Sequence, residues 1–291
     1  MERIEEDMEG KKQKIGIIDV GGGLRDVYAA GVLDTCIELG ILFDYCIGIS
    51  AGSGNLLTYL AGQKGRNYRF YADYAFRKAY MSFGNFLKKR NYVDLDYPYG
   101  EISGTNGEDP VDYDAYEKTT AEYYVVACNA LNGETKYFDR RDVGRDNYNI
   151  MKASSTLPIV NQPYVVGGVP YYDGGLADPV PVAKAFADGC DKVVLVLSRP
   201  REFVRIPDKD EKIAKRLKKT YPKAAAELAL RYKKYNDGVA LAKEYEKQGK
   251  VLIVAPDDCL GVDTLTKNKE KIAKLYQKGL EDGKCIKAFV S

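Results

Sequence analysis

At 291 residues and 45 % apolar composition, the chain is long enough to bury a substantial core, as one large domain or two small ones. A formal net charge of +2 excludes a dominant electrostatic attraction to nucleic acid, and no nucleic-acid partner is expected. The chain contains no histidine, which excludes a mixed Cys/His zinc site and a Ser–His–Asp triad.

The N-terminal MERIEEDMEGKKQK is highly charged and lacks the apolar core of a signal peptide. Residues 1–13 are expected to be flexible, with 14–291 a single domain. From Lys14 to Val20 a β-branched apolar run suits a buried strand, and Gly21-Gly22-Gly23 ends it. Asp26 to Leu39 then reads as a helix, with Ala29, Val32, Leu33, Cys36 and Ile37 on one face. A second strand, Tyr45 to Ile49, runs into Ser50 and a second apolar helix through Leu56, Leu57 and Leu60. Further strands are predicted at Tyr123 to Ala130, Lys192 to Leu197 and Lys250 to Val254. Strands alternating with helices predict an α/β fold, a parallel sheet covered on both faces.

Between these strands, residues 80–120 are rich in Tyr, Asp and Gly and are expected to be irregular, forming a lid or a pocket wall. Tyr80, Met81, Phe83, Phe86 and Leu87 are read as core, or as the lining of an acyl pocket. A basic helix is expected over 209–235 and a terminal one over 264–281. Residues 201–250 hold 15 Lys and Arg against 8 Asp and Glu, so the C-terminal 201–291 extension is markedly basic at its start. This helix is read as a solvated face, with docking on an anionic bilayer as its alternative. Six separated cysteines without a C-x-x-C pair are read as reduced thiols. No apolar run approaches the roughly 20 residues of a membrane span. A cytoplasmic protein is expected, peripheral at most to the inner membrane surface.

Three stretches can carry chemistry. Gly48-Ile49-Ser50-Ala51-Gly52 is a G-x-S-x-G turn between an apolar strand and an apolar helix, the setting that exposes a nucleophilic serine. Its competing reading is a serine N-cap. Gly21-Gly22-Gly23-Leu24-Arg25 allows a close backbone approach, as a phosphate cradle or as an oxyanion hole. The nucleotide reading fits poorly. Asp26 stands where G-x-G-x-x-G needs its third glycine, and no G-K-[ST] follows. Tyr172-Asp173-Gly174-Gly175 alone reads as a turn. Without histidine, however, the base for a serine nucleophile must be Asp, Glu, Lys or Tyr, and Asp173 is a candidate.

Taken together, GGGLR (21–25), GISAGS (48–53), ASSTLP (153–158) and DGG (173–175) resemble the patatin-like phospholipase family. The resemblance runs from about Lys14 to Leu197, and more loosely beyond. It implies a three-layer α/β/α fold with a mostly parallel sheet. It also implies a Ser–Asp dyad with Ser50 as nucleophile and Asp173 as general base, no cofactor or metal, and lipid or other acyl-ester substrates. Gly21, Gly22, Gly23, Leu24 and Arg25 would form the oxyanion loop, joined by Ala51, with Gly48, Gly52, Gly174 and Gly175 supporting the turns. The sequence departs from the family in two places. Asp26 replaces a glycine beside the oxyanion loop, and Asn161-Gln162-Pro163 replaces F-P-P. An acyltransferase or thioesterase with the same dyad, and a non-catalytic acyl- or nucleotide-binding module, are the alternatives. Oligomeric state is not legible.

Overall fold

A computed structural model describes residues 13–291, so the expected flexible start lies, except for its last residue, outside the described residues. In chain order the elements are β1 (Ile15–Asp19), α1 (Val27–Glu38), β2 (Tyr45–Ile49), α2 (Ala51–Leu60), α3 (Arg66–Ala72), α4 (Phe83–Lys89) and α5 (Tyr113–Lys118). Next come β3 (Glu122–Asn129), β4 (Thr135–Asp139), α6 (Asn149–Ser154), β5 (Tyr164–Val166), β6 (Val169–Asp173), α7 (Val182–Ala187) and β7 (Lys192–Val196). The chain ends with α8 (Asp208–Leu217), α9 (Pro222–Lys247), β8 (Val251–Val254), α10 (Lys269–Asp282) and α11 (Ile286–Val290).

One sheet runs in the order β5-β6-β3-β2-β1-β7-β8, with β4 pairing β3. The five strands predicted from apolar runs are its parallel centre, β3-β2-β1-β7-β8. Burial on both faces is what makes those runs continuously apolar. The other three strands are antiparallel and carry polar and aromatic residues, so no apolar run announces them. Helices cover both faces, giving the expected α/β/α layering. On one side, α1, α2, α6 and α10 pack around Ile17, Cys46, Val125 and Val194. On the other, α7 and α9 cover Ile18, Ile47, Val193 and Leu195.

The basic stretch 209–235 is two helices rather than one. Pro222 has no N–H to continue α8 and instead opens α9 at its first turn. Helix α10 lies directly against α1. A Cβ on Gly31 would stand 2.3 Å from the Tyr276 carbonyl oxygen, and one on Gly279 would stand 2.1 Å from that of Tyr28. Glycine on both helices is what permits this contact. The Tyr276 hydroxyl then donates to Asp34 at 2.7 Å, tying the C-terminal helix to the first one.

Strand β3 decides where the site forms. Its residues 122–126 pair with β2, ending at Val126 opposite Ile49. Its next residues pair with β6, beginning at Ala127 opposite Asp173. Because β4 holds the opposite edge of β3 over both stretches, β2 and β6 must share one edge. They run toward each other and end in adjacent register, so the residue after Ile49 meets Asp173. All six cysteines are free, with Cys36, Cys46, Cys128 and Cys190 buried. Among the described residues no helix is long and apolar enough to cross a membrane.

Candidate active site

Ser50 stands between β2 and α2 at φ 55° and ψ −128°, left-handed backbone that a residue with a side chain rarely adopts. Its neighbours enforce the turn. The Ser50 N–H donates to the Ser154 hydroxyl at 2.8 Å, and its carbonyl accepts from the Ser53 hydroxyl at 2.6 Å. Gly48 and Gly52 leave the room required. A Cβ at Gly48 would sit 2.5 Å from Ser53 Cα, and one at Gly52 would sit 2.5 Å from the Asp19 carbonyl oxygen.

Asp173 ends β6 and is 2 % exposed. One carboxylate oxygen accepts from the Gly175 N–H at 2.8 Å, and the Ser50 hydroxyl lies beside the same carboxylate and favours its charged form. Its own N–H donates to the Thr156 carbonyl at 2.8 Å. The ASSTLP stretch thus holds both partners, Ser50 through Ser154 and Asp173 through Thr156. Gly174 passes so close to β3 that a Cβ would lie 2.2 Å from the Val126 carbonyl oxygen. Burial pushes the Asp173 carboxyl above its ordinary value, against the opposing pull of Arg231, the Ser50 hydroxyl and the Gly175 N–H. A buried carboxylate with a raised pKa, beside a serine on a strained turn, has the arrangement of a base set next to a nucleophile.

Beside this pair runs the glycine loop, with Gly21 at φ 70° and Gly23 at φ 61°. Not all of its expected donors are available. The Gly21 N–H is committed to Asp19 at 3.0 Å, and the Leu24 N–H to the Thr264 carbonyl at 3.0 Å. That leaves the amides of Gly22, Gly23 and Ala51, for which no internal acceptor is found among the described residues. Thr264 comes from the loop before α10, and a Cβ on Gly23 would lie 2.6 Å from its carbonyl oxygen. The Arg25 guanidinium braces the same loop through Asp263 at 3.1 Å.

Asp26 does not face the oxyanion position. It is fully buried, and its carboxyl meets Asp19. Asn55 donates to Asp26 at 3.0 Å and to Asp19 at 3.2 Å, and accepts from the Tyr71 hydroxyl at 3.0 Å. Burial, then the charge and hydrogen bond of Asp19, drive the Asp26 carboxyl well above the usual carboxylate range, with Arg25 opposing. Burial likewise pushes the Asp19 carboxyl up, to about 6, with the Gly21 N–H and Asn55 opposing. The neutral form that the Asp26 shift favours does not repel negative charge developing at the loop.

These groups border a cavity of about 320 Å³. Tyr80 lines it, whereas Met81 is buried elsewhere in the core. The readings of Phe83, Phe86 and Leu87 as core or pocket both need correction. They are 67 %, 42 % and 69 % exposed, on a helix that buries none of its residues. Sequence reasoning missed Asn55, Asp19, Thr264 and Arg231 as parts of the site. Only Asp19 carried a signal, as the acid that ends the strand before the glycines.

A sequence profile of the patatin-like phospholipase family matches residues 20–186, which include the glycine loop, Ser50, ASSTLP and Asp173. The chain belongs to the patatin-like phospholipase family. A second profile, a domain of unknown function termed DUF6363, matches residues 221–287, which span α9 to α10. The uncharacterised Escherichia coli K12 protein YjjU is 26 % identical over 199 residues, 67 % of this chain and 54 % of its own length. The chain thus spans about half the length of this curated relative. VipD from Legionella pneumophila superposes with a TM-score of 0.48 at 12 % identity, over 95 % of this chain and 67 % of VipD.

The raised Asp26 pKa has a measurable consequence. The folded chain binds the Asp26 proton more tightly than the unfolded chain does. Its contribution to stability therefore declines as pH rises from the unfolded carboxylate value, about 4, toward the raised folded one. Asp26→Asn keeps a neutral donor to Asp19 and has no proton to lose. Urea unfolding of the two proteins should give similar stability at pH 4. Wild type should then fall behind by up to about 1.4 kcal/mol per pH unit through the window. Parallel stability–pH curves would show that Asp26 is ionised in the fold.

Proposed function

We propose that the protein is a serine acyl hydrolase that cleaves carboxylic esters of lipids. The observation that carries this reading is the meeting of Ser50 and Asp173 on one edge of β3, inside the cavity that the glycine loop borders. Ser50 Oγ attacks the ester carbonyl carbon while the Asp173 carboxylate takes the hydroxyl proton. The amides of Gly22, Gly23 and Ala51 receive the oxyanion, each such donor contributing roughly 3 kcal/mol to transition-state stability. Collapse of the tetrahedral intermediate expels the alcohol, which takes the proton from Asp173. Water, deprotonated by Asp173, then attacks the acyl-enzyme, releasing the fatty acid and returning the proton to Ser50.

Membership of a lipid hydrolase family and an apolar wall of Leu57, Phe70, Tyr80, Leu95, Ile102 and Val160 favour an acyl chain in the cavity. Helix α4 supports approach to a lipid surface better than 209–235 does. It exposes Phe83, Phe86 and Leu87 beside Lys88, Lys89 and Arg90, and the residues flanking it, Tyr80 and Val93, line the cavity. Aromatic insertion with adjacent cations is the pattern of an interfacial helix on anionic lipid.

Ser50→Ala should abolish ester turnover and labelling by a fluorophosphonate while leaving the circular dichroism spectrum unchanged; retained turnover refutes the dyad. Removing the Arg231 cation withdraws a pull that lowers the Asp173 pKa. The acid limb of the kcat/KM profile should therefore move to higher pH in Arg231→Gln, and an unmoved or lowered limb would detach it from Asp173. Replacing Phe83 and Phe86 together by Ser should weaken co-sedimentation with phosphatidylglycerol vesicles at least severalfold. Unchanged sedimentation would place any lipid contact elsewhere.

A further inference from the structure

The wall opposite the apolar one is cationic. Arg25, Arg199, Arg205 and Arg231 all line the cavity that holds Ser50 and Asp173. The two walls belong to different layers. Leu57, Phe70 and Tyr80 pack with the α1–α2–α10 layer, whereas Arg199 follows β7 and Arg231 projects from α9 on the other face. The dyad lies at the strand ends between them, so an ester held at Ser50 can direct its acyl chain to one wall and its alcohol to the other.

The cations exceed the carboxylates that could neutralise them. Asp210, 6 % exposed, accepts from Arg205 at 2.9 Å, and Asp263 accepts from Arg25 at 3.1 Å. Arg231 pairs with Asp210 at 3.9 Å and acts on Asp173 without a hydrogen bond, and Arg199 stacks 4.3 Å over Phe203 and acts on Asp263 only through its charge. Two guanidiniums are thus left without a carboxylate hydrogen bond among the described residues. Arg25 is 6 % exposed, and the Nε atoms of both Arg25 and Arg231 are buried with no acceptor. A buried guanidinium N–H without an acceptor is costly, and an anion entering the cavity removes that cost. Arg231 also reaches the catalytic turn, since a Cβ on Gly175 would lie 3.3 Å from its Nη2 and 3.0 Å from Asp173 Oδ1. An anion bound there sits beside the reacting atoms.

We propose that Arg199 and Arg231, with Arg205 and Arg25, form a phosphate-monoester subsite, and that the preferred substrate is an acyl ester whose alcohol carries a terminal phosphate. This rests on the Ser50–Asp173 reading for the chemistry, though not for the binding. A monoester carries about −1.5 to −2 charges and three acceptor oxygens, which suits two guanidiniums that no carboxylate holds by a hydrogen bond better than the single charge of a diester. Arginine forks suit such oxygens bidentately. Arg231 lies within the segment matched by the DUF6363 profile, and Arg199 precedes it. The C-terminal region would therefore supply specificity to a reaction carried by the patatin-like region.

The test uses short-chain 1-acylglycerol, its 3-phosphate and its 3-phosphocholine below their micelle concentrations. Wild type should prefer the phosphate monoester over both others by about tenfold in kcat/KM. Arg199→Gln should reduce that preference about tenfold, and Arg199→Lys should retain part of it. Equal kcat/KM for the three esters, or a preference that survives in Arg199→Gln, overturns the subsite. Calorimetric titration of the Ser50→Ala protein needs no turnover and separates this proposal from the dyad. Acylglycerol 3-phosphate should bind it at least tenfold more tightly than either inorganic phosphate or the neutral acylglycerol. Equal binding of inorganic phosphate would make this a free-anion site, and equal binding of the neutral lipid would remove the anion site altogether. Either result overturns the proposal. Loss of fluorophosphonate labelling and of all turnover in wild type, with the calorimetric ranking intact, would instead sink the dyad and leave the subsite standing.

Discussion

Strand β3 accepts two partners on a single edge, and the geometry of the site depends on that arrangement. The parallel strand β2 stops at Val126, and the antiparallel β6 takes over at Ala127. Backbone hydrogen bonds repeat at a fixed spacing along a strand, so the approach of Ser50 to Asp173 is set by ladder register rather than by side-chain flexibility. Loop residues then lock both ends, Ser154 on the Ser50 amide and Thr156 on that of Asp173. Strain at Ser50 persists because the surroundings leave it no alternative conformation.

A second constraint works behind the glycine loop. Asp19 and Asp26 are both fully buried, and the Asn55 amide donates to both. The upward shift of the Asp26 carboxyl favours its neutral form and so disfavours a second negative charge near the loop. The Asp19 carboxylate also fixes the loop by accepting from Gly21. Where a glycine is expected at 26, a buried acid with a raised pKa accepts from Asn55 and, in its neutral form, does not oppose the chemistry proposed beside it.

The C-terminal region is joined to this centre rather than appended to it. Thr264 and Asp263 brace the glycine loop, Tyr276 bonds to α1, and Arg231 reaches the turn that follows Asp173. The site therefore depends on residues more than 200 positions apart in sequence, as the bond between Arg25 and Asp263 illustrates. Loss of α9 or α10 would change the electrostatics of the cavity as well as the stability of the fold.

The parallel core was legible in the sequence because strands buried on both faces must be largely apolar, and the runs Ile15–Ile18, Tyr45–Ile49 and Val193–Leu197 are. The turns at Ser50 and at the glycines were legible too, since few residue types tolerate such backbone. The missing histidine by itself narrows the candidates for a base. The antiparallel strands β4 to β6 were not legible, because one polar face erases the apolar run. Nor were the roles of Asp26, Leu24 and Phe83, each set by what packs against it. The Asp26 pKa is raised because the fold buries it and sets Asp19 beside it, Leu24 is committed because Thr264 crosses it, and Phe83 is exposed because nothing among the described residues covers α4. Local patterns encode backbone conformation and the number of faces buried. Charge state, hydrogen-bond commitment and cavity lining arise from contacts between distant segments, and only the tertiary structure decides them.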